Sequence, residues 1–366
     1  VDAVHIIIRT DASVKIGSGH IMRCLTLADA LAAKGAKIVF VCRELPGNMC
    51  DFIMKKGYTV WRMPYHNGYN ADVTWSRVES LIDAQETIEI LKQKCEKFDW
   101  LIADHYGIER EWETAMRPYS KQVMVIDDLA NREHDCDVIL DQNLYIGMES
   151  RYDSLIPSEC KTFLGPEYVL LRPEFIREYF NGCIKRRTGD IHNILIFFGG
   201  SDATNETKKA LEAIVAINNP NICTNVVIGS SNIYKDEIKK SCREIRNCFC
   251  HCQVNNMAQL MSEADLAIGA GGTTTWERCF LGLPAITVCI AGNQRELLHT
   301  VEKKHAILNL GWYKNVTNKD IQNSIQYLLN NKIVVQNMSI QASDIMGNSF
   351  AKQQEVLQAL MGDQYV

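Results

Sequence analysis

Apolar residues recur along this chain in two alternating rhythms. Short continuous runs such as VHIII, AKIVFVC, DWLIAD and QVMVID read as buried strands. Between them, stretches such as HIMRCLTLADALAAKG place apolar residues three and four apart, the spacing of one helix face. The first half runs VHIIIRT, a helix opening at His20, AKIVFVC, a helix around NMCDFIMKKG and a short strand near YTVWRM. A long helix over roughly TWSRVESLIDAQETIEILKQKCEKF follows, then DWLIAD, a helix near EREWETAMRPY, and the strands QVMVID and CDVILD. The rhythm weakens between about Gly165 and Asp190, where FNGCIKRRTGD is polar and basic and its KRR at Lys185–Arg187 reads as solvated. It restarts with HNILIFFGGS, TNETKKALEAIVAI, CTNVVIG, NCFCHC, NMAQLMSEA, ADLAIGAGG, TTTWERCFLG, PAITVCI and QRELLHTVEKKH, and two more helical patterns close the chain. Such alternation predicts βαβ units and parallel sheets, in two doubly wound α/β domains of similar size. The expected boundaries are residues 1–180, a linker over 181–190, and 191–366. Ligands of such sheets bind beyond the carboxyl ends of the strands, and two such domains leave a cleft.

Composition changes this picture little. A chain of 366 residues with 46% apolar and 23% charged residues is an ordinary globular protein, long enough for two cores. A net charge of -5 gives no reason to expect nucleic acid as a partner. No apolar run approaches the ~20 residues of a membrane span, so no membrane partner is expected. VDAVHIIIRTD lacks the basic start and apolar length of a signal peptide, so a cytoplasmic location is expected. The 14 cysteines are scattered through apolar segments and read as reduced, packed thiols. In NCFCHCQ, Cys248, Cys250 and Cys252 share one face of an extended segment, without a second ligand pair at zinc-finger spacing. No metal and no cofactor are expected.

Three glycine turns carry the candidate chemistry. In RTDASVKIGSGHIMRC, Gly17 and Gly19 allow a tight turn and close ligand approach, and His20 falls at a helix start. An ordinary βα turn, with the histidine capping or packing, fits the same pattern. FFGGSDATN places Gly199 and Gly200 after a strand, and IGAGGTTTWERC places Gly271 and Gly272 ahead of Thr273 and Thr274. The latter offers backbone N–H groups and hydroxyls to an anion such as a diphosphate. Neither reads GxxxxGK[ST], and none gives a full GxGxxG, which argues against P-loop and nicotinamide chemistry. Glu277, one helical turn beyond Thr273, can accept hydrogen bonds from a ribose diol, or can simply favour a first helical turn. Asn293 and Gln294 in CIAGNQREL follow a strand end, where they can face a ligand or cap a helix.

The motifs RTDASVKIGSGHIMRCLTLA, ADHYGIERE, IDD, CDVILDQN, FFGGSD, GAGGTTTWERCFLGLP and AGNQ occur in this order along nearly the whole chain. Together they resemble the UDP-sugar hydrolases of pseudaminic acid biosynthesis, which act on UDP-2,4-diacetamido-2,4,6-trideoxy-β-L-altropyranose. That family is similar in fold to the peptidoglycan glycosyltransferase using UDP-N-acetylglucosamine, with two Rossmann-like domains facing a cleft in the GT-B manner. The resemblance implies catalytic roles for His20, Tyr106 and Asn293. It implies diphosphate at Gly272, Thr273 and Thr274 and ribose at Glu277, in the C-terminal domain. It further implies inverting, metal-independent hydrolysis to UDP and free sugar, with His20 taking a proton from water. An imidazole, with an ordinary pKa of about 6.5, suits that task. Asp11, in the same turn as His20, is expected to orient the imidazole or water, or else to stabilise the loop. Gly17, Gly19, Gly199, Gly200, Gly271 and Gln294 complete the expected substrate lining.

Two further acidic features have structural readings. Asp135–Asp137 looks like a metal-binding DxD but precedes a strand, and Asp127 and Asp128 make an ordinary turn or touch the sugar. Two other functions share the same nucleotide cleft: a glycosyltransferase passing a similar sugar to an acceptor hydroxyl, and a UDP-sugar sensor without chemistry. Oligomeric state is not legible in the sequence.

Overall fold

The computed structural model describes residues 3–66, 75–181 and 187–362. One compact unit comprises the chain up to residue 143, residues 147–170 and the chain from residue 349; the other comprises 144–146 and 171–348.

The first unit is built from β1 (His5–Thr10), α1 (Gly19–Ala33), β2 (Lys37–Arg43), α2 (Cys50–Lys55), β3 (Thr59–Met63), α3 (Arg77–Lys94), β4 (Phe98–Asp104), α4 (Arg110–Met116), β5 (Ser120–Ile126), β6 (Val138–Asp141) and β7 (Lys161–Leu164). Its seven strands run parallel in the order β3-β2-β1-β4-β5-β6-β7. Ile6, Ile7 and Ile8 on β1 are all fully buried, because both faces of the sheet are covered. Ile6 and Ile8 join a cluster with Ile21, Cys24, Leu25, Ala28 and Leu31 of α1. Ile7, facing the other way, packs with Ala84 and Leu91 of α3 and Trp112 and Met116 of α4. The long helix expected from Thr74 begins at Arg77, and Thr74 itself lies outside the described residues. Ser76 sets that start: its hydroxyl accepts from Glu79 N–H, and the Glu79 carboxylate accepts from Ser76 N–H.

The second unit holds α5 (Pro173–Phe180), β8 (Asn193–Phe197), α6 (Glu206–Ile217), β9 (Cys223–Ile228), α7 (Lys235–Glu244), β10 (Cys248–Cys252), α8 (Met257–Glu263), β11 (Leu266–Ala270), α9 (Thr274–Phe280), β12 (Ala285–Cys289), α10 (Gln294–Lys303), β13 (Ile307–Trp312), α11 (Asn318–Asn330) and α12 (Lys332–Met346). Its six parallel strands are ordered β10-β9-β8-β11-β12-β13. In each sheet the strand order reverses once, between β1 and β4 and between β8 and β11. Carboxyl ends of strands at such a reversal are where doubly wound sheets leave room for ligands.

The domain boundaries differ from expectation in three places, one being residues 144–146, which belong to the second unit. The break falls between Leu170 and Leu171, ahead of the polar stretch, and the last helix, α13 (Ser349–Met361), belongs to the first unit. Val356, Leu357, Leu360 and Met361 of α13 are buried in the same cluster as α1. Amphipathic spacing identifies such a helix but not the sheet that it covers. Of the basic triplet, Lys185 and Arg186 lie outside the described residues, and Arg187 is not solvated. Its buried guanidinium donates to the carbonyls of Met261, Ala264 and Leu281, at the C-terminal ends of α8 and α9. A cation there meets unsatisfied carbonyls at the negative ends of two helices. No helix among the described residues is long and apolar enough to cross a membrane.

Candidate active site

At the reversal in the first sheet, the turn after β1 delivers a histidine onto the end of β4. Ser13 organises this turn: its hydroxyl accepts from Lys15 and Ile16 N–H, and its carbonyl accepts from Gly17 N–H. Gly17 takes a φ of +79°, which favours glycine, whereas a Cβ at Gly19 would meet no described atom. α1 then starts at Gly19, so His20, Arg23 and Cys24 share one face and all reach Asp104, the last residue of β4. His20 Nδ1 lies 2.5 Å from Asp104 Oδ1. Arg23 forks onto the same carboxylate, with Nε 2.5 Å from Oδ2 and Nη2 2.6 Å from Oδ1. Burial opposes charge on Asp104, yet Arg23 and His20 together hold it well below the usual carboxylate range. His20 is buried but for 7% of its surface, and Nε2 has no partner among the described residues.

The turn after β4 reads DHYG, and each residue is placed by a separate contact. The half-buried ring of Tyr106 stands edge-on to His20, with centroids 4.6 Å apart and planes at 81°. His105 points elsewhere: its Nδ1 accepts from Gly107 N–H, its Nε2 lies 3.7 Å from Asp11 Oδ2, and its ring lies against Trp75. Gly107 is required, since a Cβ there would fall 2.2 Å from the Trp75 ring.

Asp11 does not orient His20. Its two oxygens accept from Arg9 Nη1 and Nη2 at 2.7 and 2.8 Å, and Oδ1 also accepts from Arg43 N–H. Arg9 and Arg43 both continue to Asp83 on α3, which also accepts from Trp112 Nε1. Asp11 is therefore part of a buried, charge-balanced scaffold beneath the turn, the loop-stabilising alternative of the sequence reading. The carboxylate on His20 is Asp104. Sequence reasoning passed over Asp104 and Arg23, although both lay inside quoted motifs, ADHYG and GSGHIMRC. Asp127 is likewise held internally, by Arg132, Tyr152 and the N–H of Ala130, while Asp128 accepts from Asn143 and lies 3.5 Å from Arg23 Nη1. Asp135 and Asp137 both pair with Arg117, so the DxD is occupied by an arginine.

At the reversal in the second sheet, the two glycine turns differ. Behind Gly199 and Gly200, the buried Asp202 accepts from the N–H groups of Glu206 and Thr207, so the end of α6 is already occupied by a carboxylate. At the other turn Gly272 takes a φ of +104°, and Thr273 precedes α9 without a side-chain cap. Gly271 through Thr274 stay half exposed. A Cβ on Gly271 would lie 3.1 Å from Gln294 and from Leu298, which explains the glycine and sets Gln294 over the turn. Gln294 Oε1 accepts from Ile290 N–H, holding that position. Asn293 is exposed at the head of α10 in the same unit. Glu277 is 4% exposed: Oε1 accepts from Arg172 Nε at 2.8 Å, while Oε2 is buried with no partner among the described residues. Burial raises its pKa against the pull of Arg172. Arg172, distant in sequence, carries no local signal that would have paired it with Glu277.

Residues 194–356 match the glycosyltransferase family 28 C-terminal domain. The chain is 30% identical over 306 residues to an uncharacterized protein of Methanocaldococcus jannaschii, covering 82% of this chain and 58% of that protein. It thus spans under two thirds of that relative's length. It is 27% identical to the UDP-2,4-diacetamido-2,4,6-trideoxy-beta-L-altropyranose hydrolase of Campylobacter jejuni, covering 82% of this chain and 96% of that one. The crystal structure of Acinetobacter baumannii MurG is similar with a TM-score of 0.65 at 15% identity, over 98% of this chain and 99% of that one. The fold is therefore α/β with two Rossmann-like domains of the GT-B type, the second matching the family 28 C-terminal domain.

Proposed function

We propose that this protein is a UDP-sugar hydrolase, cleaving a UDP-linked diacetamido-trideoxy-hexose to UDP and the free sugar. The observation that carries this reading is the Asp104–His20 pair, with Nε2 of a buried imidazole left unpartnered. In the proposed step, water attacks the anomeric carbon, Nε2 of His20 takes its proton, and the bond from that carbon to the diphosphate oxygen breaks with inversion. Asp104 orients the imidazole and stabilises its cation. Tyr106 packs the ring in place, and Asn293 contacts the sugar. Backbone N–H groups and hydroxyls of Gly271–Thr274 receive the diphosphate, whose developing charge they stabilise without a metal. The unpartnered Oε2 of Glu277 accepts from the ribose, and Gln294 shapes the turn. Similarity to the Campylobacter hydrolase supports the substrate class.

The match to a glycosyltransferase domain favours one second reading, transfer of the same sugar to an acceptor hydroxyl. Incubation with the UDP-linked diacetamido-trideoxy-altrose in ¹⁸O-labelled water, with chelator present, separates the two. Label in the free sugar and none in UDP is the expected result. Label in UDP would mean attack at phosphorus and would remove His20 from the proposed step. UDP binding without turnover would favour the transferase.

A further inference from the structure

Arg23 brings a fixed positive charge to the His20–Asp104 pair. Its Nη2 lies 3.0 Å from His20 Nδ1, while Nε and Nη2 fork onto Asp104 and Nη1 reaches toward Asp128. Arg23 and Asp104 are both buried, so their charges cannot rely on water. We propose that Arg23 is a positioning residue that holds the single proton of neutral His20 on Nδ1, leaving Nε2 as the basic nitrogen. The inference rests on the reading of His20 as the base.

Hydrogen-bond geometry and charge lead to the same arrangement. With the proton on Nδ1, that nitrogen donates to Asp104 Oδ1 across 2.5 Å, and Arg23 serves the carboxylate alone. With the proton on Nε2, lone pairs of Nδ1 and an ionised Oδ1 would face each other at the same distance, which is repulsive. The first tautomer prevails as long as Asp104 is ionised. Removing the guanidinium charge leaves a buried carboxylate uncompensated, and the pair gains one proton to relieve it. Two placements of that proton are available. On Asp104, the carboxyl donates to Nδ1 and the imidazole carries its hydrogen on Nε2. On His20, the imidazolium again carries hydrogen on Nε2. Either way the base is lost, although no atom that touches substrate has changed. The positive charge matters more than the fork, so lysine should substitute in part.

The test is ¹⁵N NMR of histidine-labelled protein, with the His20 ring nitrogens assigned by comparison with His20→Asn. Expected is an Nδ1–H tautomer in the wild type and in Arg23→Lys. In Arg23→Gln, hydrogen should appear on Nε2, with kcat toward the UDP-sugar lowered on the order of 10²-fold and KM little changed. Arg23→Lys should lose less than about tenfold in kcat, because one proton position is kept. Asp104→Asn is the second variant in case Arg23→Gln does not fold: there Arg23 is free to donate to Nδ1, and the proton should move to Nε2. An Nε2–H tautomer in the wild type overturns the proposal, as does a neutral ring with hydrogen on Nδ1 and none on Nε2 in Arg23→Gln or Asp104→Asn. Failure of the base reading is separate: a folded His20→Leu protein with near-normal turnover removes it, while the tautomer result still decides the role of Arg23.

Discussion

The carboxyl ends of the two sheets are furnished with opposite chemistry. In the first unit, Asp11, Asp104, Asp127, Asp128 and Asp141 crowd the strand ends, answered by Arg9, Arg23, Arg43 and Arg132. In the second unit, the half-exposed turn from Gly271 to Thr274 presents backbone and hydroxyls, and the next carboxylate along the chain is the buried Glu277. Both units share a parallel sheet and a reversal in strand order, so the difference lies in the loops alone. A dense charge network fixes side-chain atoms and protonation states, which suits a proton transfer. An open glycine and threonine turn at a helix start admits an anion without bringing a charge of its own. Under the proposed function, one fold would carry a rigid reacting site in one unit and a permissive binding turn in the other.

The strongest way to break this contrast is His20→Leu. Turnover of the UDP-sugar should fall by on the order of 10²–10⁴-fold, the usual worth of a general base. UDP binding measured by calorimetry should remain, because the proposed diphosphate and ribose contacts belong to the other unit. Loss of UDP binding in the folded variant would contradict that division of labour.

Gly107→Ala probes the rigidity of the first unit. The added methyl would meet the Trp75 ring at 2.2 Å, and the ring lies against His105. Overpacking of this kind costs roughly 1–3 kcal/mol, readable as a lower urea midpoint. Acid should act on the same residues. Burial pushes the His105 imidazole down to about 3, whereas an unfolded histidine titrates near ~6.5. Between those values the unfolded chain binds a proton that the folded chain does not, so stability rises with pH and is lost as pH falls. Melting temperature should therefore drop between about pH 6.5 and pH 4, and His105→Asn should flatten that slope.

In the second unit, Glu277→Gln keeps the shape but removes the charge that faces Arg172. Arg172 keeps the amide oxygen, so the amide nitrogen, which can only donate, takes the place of Oε2 and the proposed ribose hydrogen bond to that atom is lost. UDP affinity should weaken about tenfold, on the order of 1.4 kcal/mol, with kcat nearly unchanged. A large fall in kcat with unchanged affinity would move Glu277 out of the binding turn.

How much of this was legible in the sequence follows from the range of each interaction. Strands such as VHIII and helices such as GHIMRCLTLADALAA announce themselves through local periodicity, and the glycine turns between them likewise. The histidine at the first turn was visible because its neighbours are adjacent in the chain. Its partner is not: Asp104 is 84 residues away, whereas Asp11 lies in the same turn as His20 and offers the nearer carboxylate in sequence. Buried arginines mislead in the same way. Arg187 reads as a solvated charge beside Lys185 and Arg186, but it satisfies helix-end carbonyls that lie 74 to 94 residues further on. α13 was recognisable as a helix, yet its return to the first unit depends on a surface assembled from the other end of the chain.

Tyr106 offers the finest test, with the smallest expected effect. The resemblance implies a catalytic role for it, but the contact that holds it against His20 is made by the ring, edge to face. Tyr106→Phe retains that ring and removes only the hydroxyl. If the side chain works by keeping the imidazole upright, kcat should change by less than about threefold, since aromatic packing of ~0.5–1.5 kcal/mol is preserved. Tyr106→Ala should then be far worse than Tyr106→Phe, because the imidazole loses its lateral support while Asp104 and Arg23 grip only one edge of it. A hydroxyl that instead donates to the sugar or to the attacking water would cost tenfold or more on removal, on the order of 1.5 kcal/mol for a lost hydrogen bond. The ratio of the two variants thus measures whether the first unit holds the His20 imidazole by packing as well as by charge.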